Sequence, residues 1–163
     1  MSVSDLSQSE ADELLTMEKK RGDETTWDFP GQGEALVIPI VAVDSPEEFL
    51  LDVERGNIKL IRRKYQTRAR KIYVLARVDF SGPPHRNPTP IESERAPQGF
   101  EDYVGMELSD THLHLYREGW GNRWAIPLEP PAFHNADDPS RIWADFMKFC
   151  NITEPPDIQG GLF

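Results

Sequence analysis

Thr111-His-Leu-His-Leu-Tyr-Arg-Glu-Gly-Trp-Gly-Asn-Arg-Trp124 decides how this chain is read. His112, His114 and Tyr116 alternate with Leu113 and Leu115, the period of a strand with one buried face. If the leucines enter the core, both imidazoles and the phenol share the other face. Same-face neighbours on a strand lie about 7 Å apart, close enough to serve one ligand. Gly119 and Gly121 bracket Trp120, which predicts a turn or bulge before a second short strand over 123–128. That hairpin brings Arg117, Glu118 and Arg123 near the end of the histidine strand. An ordinary hairpin with a polar, solvated outer face is the competing reading.

Upstream of the histidine strand, Gly82-Pro-Pro, Asn87-Pro-Thr-Pro and Ala96-Pro rule out a continuous helix or strand. Residues 81–110 therefore read as a long proline-rich loop inserted between strands, carrying His85, Arg86 and Asn87; loops of this length are usually functional or disordered. Before it, 71–80 alternates as a strand, with Ile72, Val74, Ala76 and Val78 on one side and Tyr73, Leu75, Arg77 and Asp79 on the other. Strands are also predicted over 27–30, 35–43, 49–53 and 58–65, with Gly56-Asn57 as a turn and Pro39 marking an edge or bulge.

Each end of the chain carries a helix signal. Residues 1–6 read as flexible, and Ser7-Gln-Ser-Glu10 has capping-box spacing for a short helix that ends near Arg21. Asp138-Pro139 supplies an N-cap and a first-turn proline for the last helix, whose Ile142, Phe146, Phe149 and Cys150 form an apolar stripe. The sum is an α+β single domain over 1–163. A strongly bent antiparallel sheet or open barrel of about five to seven strands is flanked by the two terminal helices.

Composition narrows the function. A charged fraction of 28% against 38% hydrophobic predicts a folded chain. The single cysteine, Cys150, excludes an intramolecular disulfide and a Cys-rich zinc site. No apolar run reaches the roughly 20 residues of a membrane span and no signal pattern opens the chain, so no membrane partner and a cytoplasmic location are expected. The net charge of −10 repels nucleic acid on average. The stretch 55–77 nevertheless holds Arg55, Lys59, Arg62, Arg63, Lys64, Arg68, Arg70, Lys71 and Arg77 with no acidic residue, which locally reads as phosphate binding; a solvated edge strand is the competing reading.

Three chemistries fit these parts. The histidine pair with His85 or Asp79 could hold zinc or iron, yet His-x-His lacks a third ligand at a fixed offset, so no metal and no cofactor are assigned. Metal-independent RNA cleavage needs a base, an acid and cations on the phosphorane. His85, His112 and His114 with Arg117 would supply them, while Arg63, Lys64, Arg68 and Arg123 hold the backbone and Tyr65, Tyr116 or Trp120 stacks a base. A binding module using the basic strand is the third. Serine or cysteine hydrolysis is disfavoured, because Cys150 lies on an apolar helix and no Gly-x-Ser-x-Gly elbow occurs. No Rossmann or P-loop glycine pattern is found.

Several motifs together resemble an uncharacterised bacterial family of unknown function: Leu51-Asp-Val-Glu-Arg-Gly-Asn-Ile58, Tyr65-Gln-Thr-Arg68, Gly82-Pro-Pro-His-Arg-Asn-Pro88, His112-Leu-His-Leu-Tyr-Arg-Glu-Gly119 and Phe146-Met-Lys-Phe-Cys-Asn151. The chain departs from that pattern over 89–110, which is longer and more acidic. Over 77–116, the proline-rich histidine loop leading to His-x-His is faintly similar to small toxin-like proteins of toxin–antitoxin loci. That likeness tips the expectation toward a nucleic-acid-directed, toxin-like or defence-associated protein, an RNase in its enzymatic form, with RNA or a protein as partner. The alternative is a non-catalytic binding or regulatory module acting through the basic strand. Oligomeric state is not legible.

Overall fold

The computed structural model of the chain describes residues 5–160. Helix α1 (Gln8–Thr16) opens with the predicted capping box, Ser7 accepting from the Glu10 N–H and Glu10 reaching back. The helix stops earlier than expected. Lys19–Arg21 is a strand, β1, which pairs antiparallel with Ile40–Ala42 and parallel with the last part of the chain. The basic residues at 19–21 suggested a helix terminus, and Lys19 does serve one by its side chain. Its fully buried ammonium donates 2.8 Å hydrogen bonds to the carbonyls of Leu15, Met17 and Cys150, and sits 4.9 Å from the centre of the Phe49 ring.

The strands continue as β2 (Thr26–Asp28), β3 (Ala35–Ala42), β4 (Glu48–Arg55), β5 (Arg63–Ala69), β6 (Tyr73–Phe80), β7 (His85–Arg86), β8 (Glu107–Leu108), β9 (His112–Arg117) and β10 (Gly121–Ile126). Helix α2 (Pro139–Phe149) follows with Asp138 as its N-cap, and β11 (Ile152–Glu154) and β12 (Asp157–Gln159) come last. Among the described residues, eight strands form one open sheet in the order β10-β9-β6-β5-β4-β3-β1-β11. All neighbours are antiparallel except β1 with β11. The α+β single domain with an unclosed, mostly antiparallel main sheet holds as expected, with more strands than the five to seven anticipated; β2 pairs with β12 and β7 with β8 outside that sheet. Pro39 lies inside the sheet rather than on its edge. It is tolerated because β1 has ended opposite it, and only its carbonyl is used, by the Gly22 N–H.

One sheet face is the core. Leu51 and Val53 of β4, Tyr65 of β5, Val78 of β6 and Leu113 of β9 are essentially fully buried there, beneath Ala11 and Leu14 of α1 and Ile142 and Phe146 of α2. Tyr65 meets the Trp143 ring edge-on at 5.1 Å. A bulge in β6 changes the expected alternation: Thr67 pairs with Ala76 but Arg68 with Val74, so Leu75 is the extra residue. Tyr73 thereby joins the core side opposite Ala69, and Val74 moves to the open side. Residues 1–4 and 161–163 lie outside the described residues. The expected looseness of 5–6 is not found, because Leu6 is buried and its carbonyl accepts the Tyr116 hydroxyl at 2.8 Å. Among the described residues, no helix is long and apolar enough to cross a membrane.

Lys19→Met keeps the volume and removes the donor from three carbonyls. Each acceptor left dry costs about 1 kcal/mol or more, so we expect roughly 2–4 kcal/mol less stability by urea unfolding. An unchanged midpoint would mean that the desolvation of the ammonium cancels its hydrogen bonds.

Candidate functional site

The face of the sheet away from the two helices is polar and is ordered by register. One row runs Ala35, Glu54, Lys64, Asp79, His112 across β3, β4, β5, β6 and β9; the next runs Val37, Asp52, Gln66, Arg77, His114. The alternation read in the histidine strand thus holds from His112 to Leu115, with both imidazoles opposite the buried leucines, whereas Tyr116 leaves the histidine face and packs with Leu6 and Tyr73. What the sequence could not give is their neighbourhood. Residues 33 to 37 positions upstream, Asp79 and Arg77, stand directly beside them.

Asp79 is the hub. Its Oδ2 lies 3.1 Å from His112 Nε2, 3.2 Å from His114 Nε2 and 3.2 Å from Arg77 Nη2. Arg77 Nη2 also approaches His114 Nε2 at 2.9 Å. The far nitrogens of both rings donate to main-chain carbonyls, His112 Nδ1 to Ser109 and His114 Nδ1 to Asn122, each at 2.8 Å. A carbonyl can only accept, so these contacts place a hydrogen on Nδ1 of each ring. A neutral ring in that tautomer turns an Nε2 lone pair toward Asp79, and only a protonated ring donates a hydrogen bond to it.

The proline-rich loop covers this cluster. The His85 ring of β7 lies over it, 4.5 Å from the His114 ring and 5.7 Å from that of His112, centre to centre. His85 Nε2 donates to the Arg123 carbonyl at 2.9 Å. Two residues on, the Asn87 amide binds both the N–H and the carbonyl of Ala125 at 2.9 Å, acting as one rung of a sheet against the edge of β10. The loop is therefore a built element: it contains the β7–β8 pair, and Asn87, Phe100 and Leu108 are buried. It leaves His112 1% and His114 2% exposed, with His85 at the rim.

Burial and charge act on these groups in opposite senses. Burial alone would raise the Asp79 carboxyl, but hydrogen bonding with His112 and His114 and the charge of Arg77 hold it far below the usual carboxylate range. Burial lowers His114, and the adjacent Arg77 adds to this against the opposing pull of Asp79. Burial likewise lowers His85, against the hydrogen bond to Arg123.

The remaining expected site residues do not converge on the histidines. Arg117 stacks over the Phe100 ring at 4.8 Å and lines a separate cleft with Gln8, Arg95 and Trp120. Tyr116 is buried against Leu6 and Tyr73. Trp120 packs edge-on to Trp124 and beneath the Arg123 guanidinium, 5.0 Å away. Tyr65 and Arg63 are corrections, because odd positions of β5 face the core. Tyr65 is fully buried, and Arg63 is buried over the Phe29 ring while donating to the carbonyls of Leu60 and Arg62. Lys64 and Arg68 do reach the open face, but β4 neutralises them. Lys64 Nζ is 2.9 Å from Glu54, and Arg68 forms a two-pronged pair with Asp52 at 2.7 and 2.8 Å. The basic stretch contains no carboxylate in sequence, yet meets a row of them in space. Cys150 is buried, which pushes its thiol up to about 12, so it is no nucleophile.

His85 and His114 are bases held below their usual value, so the unfolded chain takes up protons first as pH falls through about 6.5. Stability is therefore present above that pH and is lost below it. The thermal midpoint should fall between pH 7 and pH 5, and His85→Gln should flatten that slope while Lys64→Gln leaves it as it was. Parallel slopes for all three proteins would remove His85 as a contributor.

No curated protein and no solved structure matches the chain. Residues 6–152 match the model of a protein family described as "Family of unknown function (DUF6978)". That match spans both the sheet from β1 to β10 and the Asp79–His112–His114 cluster with its covering loop, so the chain belongs to the DUF6978 family of unknown function.

Proposed function

We propose that this chain is a non-catalytic binding module that docks a protein partner through the tip between β4 and β5. The carrying observation is the tip's exposed apolar surface: Ile58 is 97% exposed and Leu60 and Ile61 are about half exposed, beside Lys59 and Arg62. Clustered aliphatic side chains left in water are a mark of partner surfaces. The tip borders a cleft of about 360 Å³ shared with Ser81, Gly82 and Pro83. Lys59 stands 3.9 Å from Asp110, its charge on the rim. An apolar centre with a basic rim suits a partner that presents an apolar patch edged by carboxylates.

The nuclease reading has less to rest on. A general acid or base must come within about 3 Å of the reacting atom. His112 and His114 are nearly fully enclosed and their Nδ1 atoms are engaged. The cations meant for phosphate face Asp52 and Glu54, and a chain of net charge −10 repels a polyanion. His85, at the rim, is the residue a nuclease would have to use. On the docking reading, the toxin-like likeness of 77–116 belongs to a component of a toxin–antitoxin or defence locus that works in the cytoplasm by contact rather than by cleavage.

Affinity capture from the native host separates the two, comparing the wild type with Ile58→Asp/Ile61→Asp and with His85→Ala, alongside RNA cleavage by each. We expect one protein to be retained by the wild type and by His85→Ala and lost by the tip variant, with no cleavage by any of them. RNA cleavage by the wild type that disappears in His85→Ala would reverse the reading.

A further inference from the structure

We infer that Asp79, His112 and His114 form a binding site for one late first-row divalent cation of the zinc type. The site lies on the open sheet face and is independent of the docking tip. Asp79 Oδ2 is 3.1 Å from His112 Nε2 and 3.2 Å from His114 Nε2, and all three donor atoms lie within 4.8 Å of one another. Donors bound tetrahedrally to zinc at its usual bond lengths are about 3.3 Å apart. The two sequence-distant strands, β6 and β9, therefore present a nitrogen–nitrogen–oxygen set in which both oxygen–nitrogen spacings are already near the required value.

The second observation is what holds the rings. Each imidazole gives its Nδ1–H to a backbone carbonyl, which fixes the tautomer and aims the Nε2 lone pair inward. This outer bonding is the usual support of a metal-bound histidine. With both rings neutral, two lone pairs and a carboxylate oxygen at this range repel one another unless a positive charge stands among them.

Arg77 meets that demand in part. Its Nη2 touches Asp79 Oδ2 and His114 Nε2, while His112 Nε2 faces the carboxylate without it. A bound ion replaces the guanidinium contact and serves all three donors together. Two imidazoles and one carboxylate select zinc, cobalt or nickel over magnesium and calcium, which prefer all-oxygen shells. Water takes the remaining position, since His85 Nε2 is engaged with the Arg123 carbonyl. The ion would tie the centre of the sheet to the strand that follows the proline-rich loop.

Chelator-stripped protein is titrated with zinc by calorimetry and with cobalt by visible absorption, and its unfolding midpoint is followed. We expect one ion per chain, a higher midpoint, and the cobalt spectrum of a four-coordinate nitrogen–oxygen site. Asp79→Asn and His112→Ala should each weaken binding by roughly 100-fold or more, a loss at least as large as that seen when only the supporting shell is removed. Arg77→Met removes the competing cation and should bind more tightly than the wild type. His134→Ala, which deletes the imidazole paired with Asp145 on α2, should bind as the wild type does. A wild type that binds no zinc overturns the inference, and so does a folded Asp79→Asn that binds as well as the wild type. Should Asp79→Asn fail to fold, equal or weaker binding by Arg77→Met overturns it, and the cluster is then a buried ion-pair network. The docking tip is untouched by these variants, so this result stands or falls apart from the capture experiment.

Discussion

The Lys19 ammonium ties the ends of both helices to the sheet. It donates to the loose carbonyls at the end of α1, Leu15 and Met17, and to the carbonyl of Cys150 at the end of α2, and it rests on the Phe49 ring of β4. A buried charge is costly unless its donors are used, and here all three are. Burial lowers the ammonium to about 8, which leaves it protonated at neutral pH. Both helices are thus fixed against one face of the sheet. Once that face is core, strand register leaves Asp79, Arg77, His112 and His114 on the other.

The two faces solve different problems. The core face gains from apolar burial and aromatic packing around Tyr65, Trp143 and Phe146. The open face is stabilised by pairing across strands, Glu54 with Lys64 and Asp52 with Arg68, and along β6, Asp79 with Arg77, so that few charges on it are left without an opposite. Pairs of this kind contribute modestly where solvent reaches them and more where it does not. Their larger effect is on recognition. A strand that looks like a phosphate groove in one dimension is close to neutral in three, and the face it belongs to carries Val37, Asp52 and Gln66 where a stacking platform would need aromatic rings.

Local signals read well from the sequence. Ser7 with Glu10, Asp138 with Pro139, and the alternation from His112 to Leu115 each depend on neighbours a few positions away, and each stands where it was expected. Errors arose where a distant partner decides the outcome. Lys19–Arg21 is a strand because β3 and β11 flank it, against the local preference of three cations. Tyr65 looked like a stacking residue until the parity of β5 placed it under α2. The cluster is only half legible: the two histidines declare a shared face, and Asp79 is one of two third ligands the sequence offers. Nothing local distinguishes Asp79 from His85, because pairing between β6 and β9 crosses the whole proline-rich loop.

The parallel pairing of β1 with β11 also bears on how the chain is made. Strands β3 to β6, and then β9 with β10, join neighbours that leave the ribosome in succession, so most of the sheet can assemble as it emerges. β1 is synthesised before any of them, yet its outer flank stays bare until residue 154 has cleared the exit tunnel. Lys19 waits for the Cys150 carbonyl over the same interval. A nascent chain paused within α2 would therefore display an unfinished edge and an incompletely bonded ammonium together, two features that holding chaperones and proteases can recognise before β11 closes them.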